Sequence, residues 1–262
     1  MANGNNKRTF VGENVTVAGA RLNWAGYLFK KDDDGPNASG KYRCDLLIPK
    51  SRTGEMKDIN TAIKAAFGKA FEEGVLSKDV IGSQVLKAVK SNTPLDPDKD
   101  GIGWPVKDGD KYADDRIELA VAKGKDREQQ EKFYEPYRGM WLITATSSKE
   151  PDLADIMGNP VDRESPEAKR MFYSGALVYA NLFLCAYQPS KFVTKGGVTA
   201  WLNGVQFWKK GKPLGNGGSH FTAINEAMSD GFDDLIDDGG ADDTEAPSST
   251  PSDANDGWGD LV

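Results

Sequence analysis

The 262-residue chain has one histidine, His220, and two cysteines, Cys44 and Cys185. A single imidazole excludes a histidine-rich metal site. It also leaves serine or cysteine nucleophiles without a base unless His220 is the centre of the machinery. His220 follows a glycine-rich turn at an expected helix start, which reads as a surface or capping position. The cysteines lie far apart, each in an apolar, strand-like run, the setting of buried reduced thiols. No apolar run approaches the ~20 residues of a membrane span. The longest, Ala176 to Tyr187, is a dozen residues and contains Asn181. Residues 1–6 are polar and have no signal-peptide core.

The motifs of cofactor chemistry are incomplete as well. Asp96, Asp98, Asp100 and Gly101 begin like a calcium loop, but the twelfth position, which needs an acid, is Lys107. Gly215, Gly217 and Gly218 lack the Lys-Ser/Thr of a phosphate loop. No carboxylate pair sits in the apolar surroundings that an acid/base couple requires. The reading is a protein without metal, cofactor or catalytic set, and not an enzyme.

What is present is a division of charge. The net charge is -7, yet from Asp230 onward there are 11 acids and no lysine or arginine. The preceding residues therefore hold 33 bases against 29 acids, a mildly basic body. Halves of opposite sign are expected where a body meets a polyanion and a tail regulates it. The tail, 230–262, is rich in Gly, Asp, Ser, Thr and Pro and cannot bury enough apolar area to offset ordering entropy, so disorder is expected there. Its end carries apolar anchors among acids, Trp258, Asp260, Leu261 and Val262, a pattern of peptide docking on a partner. The expected domains are thus 1–229 and 230–262.

Periodicity orders the body. Residues 8–31 read as one or two strands and 31–40 as a loop. In 41–50 (KYRCDLLIPK), Tyr42, Cys44 and Leu46 share one face and Arg43, Asp45 and Leu47 the other. Ile59, Ile63, Ala66, Phe67, Ala70 and Phe71 recur at helical spacing, with Gly74 as a stop. A second helix is expected over 77–90, a loop over 92–111, and loosely helical, charged sequence over 114–136. Strands return at 139–147, within 172–188 and at 196–208, around an acidic excursion at 149–170. A short helix is expected over 219–228. Strands, then helices, then strands point to a mainly β Greek-key barrel with inserted helices rather than a sandwich.

Aromatic and cationic residues alternate along these strands. Cations neutralise phosphates and exposed rings stack on bases, the pairing that single-stranded nucleic acid requires. The candidates are Arg21, Trp24, Tyr27, Lys41, Tyr42, Arg43, Arg138, Tyr187, Lys191, Trp208, Lys209, Lys210 and Lys212. Trp24, Tyr42, Tyr187 and Trp208 have polar or basic neighbours and are the preferred stacking rings. Trp141 and Phe207 lie in strongly apolar strands and are expected to be buried.

The segments KYRCDLLIPK (41–50), FYSGALVYANLFLCAYQPS (172–190) and GGVTAWLNGVQFWKKGKPLG (196–215), with the acidic tail, resemble bacteriophage single-stranded DNA-binding proteins similar to that of short-tailed coliphages. The resemblance runs over most of 8–225. It implies an OB barrel that coats single-stranded DNA without strong sequence preference, in the cytoplasm of an infected bacterium, during replication, recombination and repair. It further implies a homodimer whose tail contacts replication proteins such as a polymerase or helicase-primase. The chain departs from that pattern at its end, where Leu261 and Val262 stand in place of a terminal phenylalanine and Trp258 lies upstream. Two rival readings are a strand-annealing recombination protein and a phage structural or assembly protein whose tail only solubilises.

Overall fold

The computed structural model describes residues 11–33, 38–77, 103–188 and 196–214. The chain divides into units Met1–His220 and Phe221–Val262, and every described residue lies in the first. The helices expected at 77–90 and 219–228, the acidic start of the calcium-like loop, His220 and the tail fall outside the described residues.

The first strand, β1 (Val11–Asn23), is long enough to pair on both sides. It runs antiparallel to β2 (Tyr42–Pro49) and to β6 (Leu177–Tyr187). Beyond β2 lies β4 (Met140–Ser147), antiparallel, with the short edge strand β3 (Val106–Asp108) against it. Beyond β6 lies β7 (Gly197–Lys209), antiparallel, with β5 (Asp152–Ala154) at its far edge. The sheet closes where β4 and β7 pair in parallel, Ala145 opposite Ala200 and Thr146 opposite Trp201. Strands β1, β2, β4, β7 and β6 form a closed five-stranded Greek-key barrel, the OB topology.

Strand alternation fills it. Cys44, Leu46 and Ile48 of β2, Ile143 and Ala145 of β4, Val178 to Leu184 at every second position of β6, and Val198, Ala200 and Leu202 of β7 all point inward. Cys44 and Cys185 are buried free thiols, and burial pushes Cys185 up to about 11 and Cys44 higher still. Within the register shift of β1, between Val17 and Ala20, Gly19 takes φ 55°, and a Cβ there would meet the Trp208 ring and the Arg52 guanidinium at 2.8 Å. Only glycine suits that backbone and that space.

Helix α1 (Thr53–Glu72) follows β2. It buries Ile59, Ile63, Ala66, Phe67 and Ala70 against the barrel, and Gly74 at φ 69° terminates it. Phe67 stacks on Trp104 at 5.6 Å between centroids.

The charged stretch expected to be loosely helical holds two defined helices, α2 (Gly109–Ala122) and α3 (Arg127–Tyr134), then a 3-10 turn at Glu135–Tyr137. Two features supply what composition hid. The Asp108 carboxylate caps α2 by accepting the N–H groups of Asp110 and Lys111, and Asp126 caps α3 through Gln129. Ala113, Ile117 and Ala120 give α2 a narrow buried stripe. Lys50 anchors the start of α2 to the end of β2, bonding Asp108 and Asp110 at 2.7 Å. A second small core of Leu47, Leu142, Ala113 and Tyr137 then forms on the outside of the barrel. The acidic excursion contains β5 and a short helix, α4 (Pro166–Met171), capped by Ser165. Among the described residues no helix is long and apolar enough to cross a membrane.

Phe67 is 1% exposed and ties α1 to the barrel. Replacing it with alanine is expected to cost about 3–5 kcal/mol in urea unfolding. A cost below about 1 kcal/mol would mean that α1 does not share the barrel's cooperative unit.

Candidate nucleic-acid interface

The outward faces of β1 and β2 and the turn between them gather three sequence candidates. Asn23 ends β1, Trp24 takes φ 58°, and a 3-10 turn at Ala25–Leu28 carries Tyr27. Trp24 is the one non-glycine with positive φ among the described residues, a conformation that costs an L-residue about 1–3 kcal/mol unless its surroundings hold it. They do. The Trp24 backbone N–H donates to Asn23 Oδ1 at 2.9 Å, and its indole N–H donates to the Tyr137 hydroxyl at 3.0 Å. Tyr137 also accepts from Asn23 Nδ2 at 3.0 Å and donates to Asp45 Oδ2 at 2.9 Å. Thr144 donates to Asp45 Oδ1 at 2.8 Å.

Asp45 thus sits buried beneath the platform with both oxygens satisfied. Burial raises its carboxyl above the usual range, against the opposing pull of its two hydrogen bonds and of Arg43 and Lys107. Burial likewise pushes the Tyr137 phenol well above the ordinary tyrosine range, with the Asp45 charge adding to it.

Arg43 projects from β2 over this network. Its guanidinium lies 5.5 Å from the Trp24 ring and 4.8 Å from the Tyr27 ring, and Asp32 fixes it at 3.2 Å. Trp24 and Tyr27 are 6.2 Å apart and tilted by 35°. Two half-buried rings and a planar cation therefore form one rigid group, the arrangement on which a base stacks while its phosphate is neutralised.

Strand register extends the group across the barrel. Arg43 stands opposite Thr146, Thr146 opposite Trp201, and Trp201 opposite Phe183. Trp201 and Phe183 pack together at 6.0 Å, and neither belongs to an apolar core. Neither is among the preferred stacking rings of the sequence reading. The alternation along β7, with Val198, Ala200 and Leu202 inward, was the signal that turns Trp201 outward.

The other candidates are placed elsewhere. Tyr42 is 9% exposed, on the opposite face of β2 from Arg43, and its hydroxyl donates to Glu150 at 3.0 Å. Lys41 beside it is exposed. Trp208 packs on Tyr179 at 5.6 Å with Lys209 over its ring at 4.3 Å, a second ring-and-cation group at the end of the β6–β7 hairpin, with Lys210 next in sequence. Arg21 and Lys212 meet, Arg21 Nη2 donating to the Lys212 carbonyl at 2.6 Å. Arg138 is tied to α2 through Asp114 at 2.7 Å. Tyr187 pairs with Gly197 at the far end of the hairpin from Lys209 and packs against Gly103. Lys191, Trp258, Asp260, Leu261 and Val262 lie outside the described residues. Trp141 and Phe207, expected to be buried, are only partly so and pack against the main core.

Two further cations, outside the set that the strand pattern singled out, gather on a third ring. Lys107 and Arg116 approach the Tyr112 ring at 5.8 and 5.3 Å. Among the described residues no cluster of acids, histidines or cysteines is arranged to hold a metal.

Tyr137→Phe keeps the ring and removes the shared hydroxyl. It leaves Asp45, Asn23 and the Trp24 indole each short of a partner, so unfolding stability is expected to fall by about 1–3 kcal/mol, with altered Trp24 fluorescence. Unchanged stability and fluorescence would show that the hydroxyl does not hold the platform. Because the folded-state pKa of Asp45 is raised, its protonated form favours folding. That contribution is whole below the ordinary carboxylate pKa and is lost as pH rises through the raised one. In Asp45→Asn this slope disappears, so the variant should gain stability relative to the native chain from acid to neutral pH; a constant difference would refute it.

Known proteins resemble this chain over most of its length. The family model described as "Enterobacter phage Enc34, ssDNA-binding protein" matches residues 13–236. The putative protein p50 of Acyrthosiphon pisum secondary endosymbiont phage 1 is 24% identical over 208 residues, 79% of this chain and 86% of that protein. The C-terminally truncated single-stranded DNA-binding protein of bacteriophage Enc34 is 20% identical, over 77% of this chain and 88% of that one, at a TM-score of 0.47. The same phage's protein in complex with ssDNA is 21% identical, over 78% and 90%, at 0.45. Bacteriophage T7 gp2.5, a single-stranded DNA-binding protein, is 16% identical, over 89% and 100%, at 0.40. With the family model covering most of its length, the chain belongs to the Enc34 phage ssDNA-binding protein family.

Proposed function

We propose that this protein binds single-stranded DNA on the outward face of its barrel, without sequence preference and without catalysis. The observation that carries the reading is the Trp24–Arg43–Tyr27 group, in strand register with Trp201 and Phe183. Rings offer faces to any base and cations answer the phosphates, so affinity follows backbone and stacking rather than base edges. A duplex hides its base faces, and single strands are preferred for that reason. The family is one of binding proteins rather than enzymes. Coating single strands during phage replication, recombination and repair, in the cytoplasm of the infected bacterium, is the role this chemistry serves. A homodimer is part of the same reading and is checked by light scattering without DNA.

The tail completes the proposal. Its 11 acids are tethered to the body, so they compete with DNA at high effective concentration for the cationic face. Once DNA displaces the tail, Trp258, Asp260, Leu261 and Val262 are released to dock on a replication protein such as a polymerase or helicase-primase.

Fluorescence titration with single-stranded and duplex oligonucleotides at two salt concentrations tests the reading. Trp24→Ala is expected to cost about 1–3 kcal/mol with the salt slope nearly unchanged. Lys41→Ala or Lys209→Ala should instead lower the slope by about 0.7, the share of one phosphate neutralised on a single strand. Equal affinity for duplex and single strand would reduce the protein to an electrostatic binder. Removing residues 230–262 should tighten binding, most of all at low salt where screening is weak. Weaker binding by the shortened chain would exclude competition by the tail.

A further inference from the structure

The row of rings continues beyond the barrel. Phe133 of α3 lies 6.2 Å from Trp24 and meets Tyr134 edge-on at 4.9 Å. Phe133 belongs to neither apolar core, and α3 buries none of its residues. Core packing therefore does not account for a phenylalanine at this position. Past Phe133 opens a cleft of about 670 Å³ between α3, the end of β1 and the segment after β7. That volume lies within the range that encloses a group of nucleotide size.

The lining of the cleft has the chemistry of the platform. Arg21, Lys132 and Lys212 stand against one carboxylate, Glu135, and Phe133 and Leu214 supply apolar surface. One wall is held in place, since the Leu214 N–H donates to the Ser174 carbonyl at 2.8 Å and the Gly211 N–H donates to the Tyr173 hydroxyl at 3.0 Å. Arg21 cross-links that wall to β1 through the Lys212 carbonyl. Lys132 bonds Glu128 at 2.7 Å, but both side chains are about three-quarters exposed, so the ion pair exchanges readily for a phosphate.

We propose that this cleft is a second DNA subsite supplied by the helical insertion. Single-stranded DNA leaving the Trp24 platform stacks a base on Phe133, and Lys132, Arg21 and Lys212 hold the phosphates that follow. The proposal rests on the reading that the barrel face binds single strands. It adds residues of α3 that the alternation of rings and cations along the strands did not single out, because α3 is charged and lies outside the barrel.

Oligonucleotide length separates the two claims. Thymidine oligomers of ~4 nucleotides fill the barrel face alone, and those of ~16 reach the cleft as well. Phe133→Ala is expected to weaken binding of the long oligomer on the order of 10-fold and leave the short one unchanged. Lys132→Gln, at an exposed position outside both cores, keeps the measurement interpretable if Phe133→Ala folds poorly. It should lower the salt slope by about 0.7 for the long oligomer only. Native affinity for both lengths in both variants overturns the subsite. Equal weakening at both lengths overturns it too, placing these residues in the platform itself. If the native chain binds neither oligomer, the reading of the barrel face fails instead.

Discussion

A parallel contact of two residues closes this barrel. Ala145 and Thr146 of β4 meet Ala200 and Trp201 of β7, and without that contact the sheet would stay open between those two strands. Closure turns Val198, Ala200 and Leu202 into core and their neighbours into surface. It also brings Trp201 within two strands of Arg43, roughly 10 Å at the usual strand spacing. The proposed stacking surface therefore depends on closure, which sets Trp201 two strands from Arg43 by way of Thr146.

Beneath that surface, a buried carboxylate sets the geometry. Asp45 would be costlier still if left unpaired, and its hydrogen bonds to Tyr137 and Thr144 offset only part of its desolvation. The same tyrosine hydroxyl takes the Trp24 indole N–H. In the proposed binding mode a ring fixed in advance would lose little rotamer freedom, so ordering would offset little of the stacking energy. The helical insertion α2–α3 is essential to this, because Tyr137 follows α3 and packs in the small external core with Leu47 and Leu142.

Electrostatics divides along the chain rather than within the barrel. A body with four more bases than acids attracts a polyanion weakly on net charge alone. Local grouping matters more. Arg43 lies over two rings and is held by Asp32, and Lys209 lies over Trp208, so each cation comes with an apolar surface beside it. Such pairs favour flexible single strands, whose bases and phosphates can be met together.

Alternation and turn chemistry made much of this legible in the sequence. The two faces of β2, the helix over Thr53–Glu72 with its stop at Gly74, and strands β4, β6 and β7 follow from periods of two and 3.6 residues, which are local properties. Charge division and the scarcity of histidine and cysteine are likewise readable without coordinates. Helices α2 and α3 were less legible, since α2 has only a narrow apolar stripe, α3 buries no residue, and both start on side-chain caps, Asp108 with Lys50 and Asp126. The tertiary structure alone decided which rings stack together. Tyr42 and Trp24 both have polar or basic neighbours in sequence, yet Tyr42 is buried against Glu150 while Trp24 is held outward by a hydroxyl 113 residues away. Composition cannot distinguish them, because a ring's exposure depends on which distant strand or helix covers it, and that is settled only when the barrel closes.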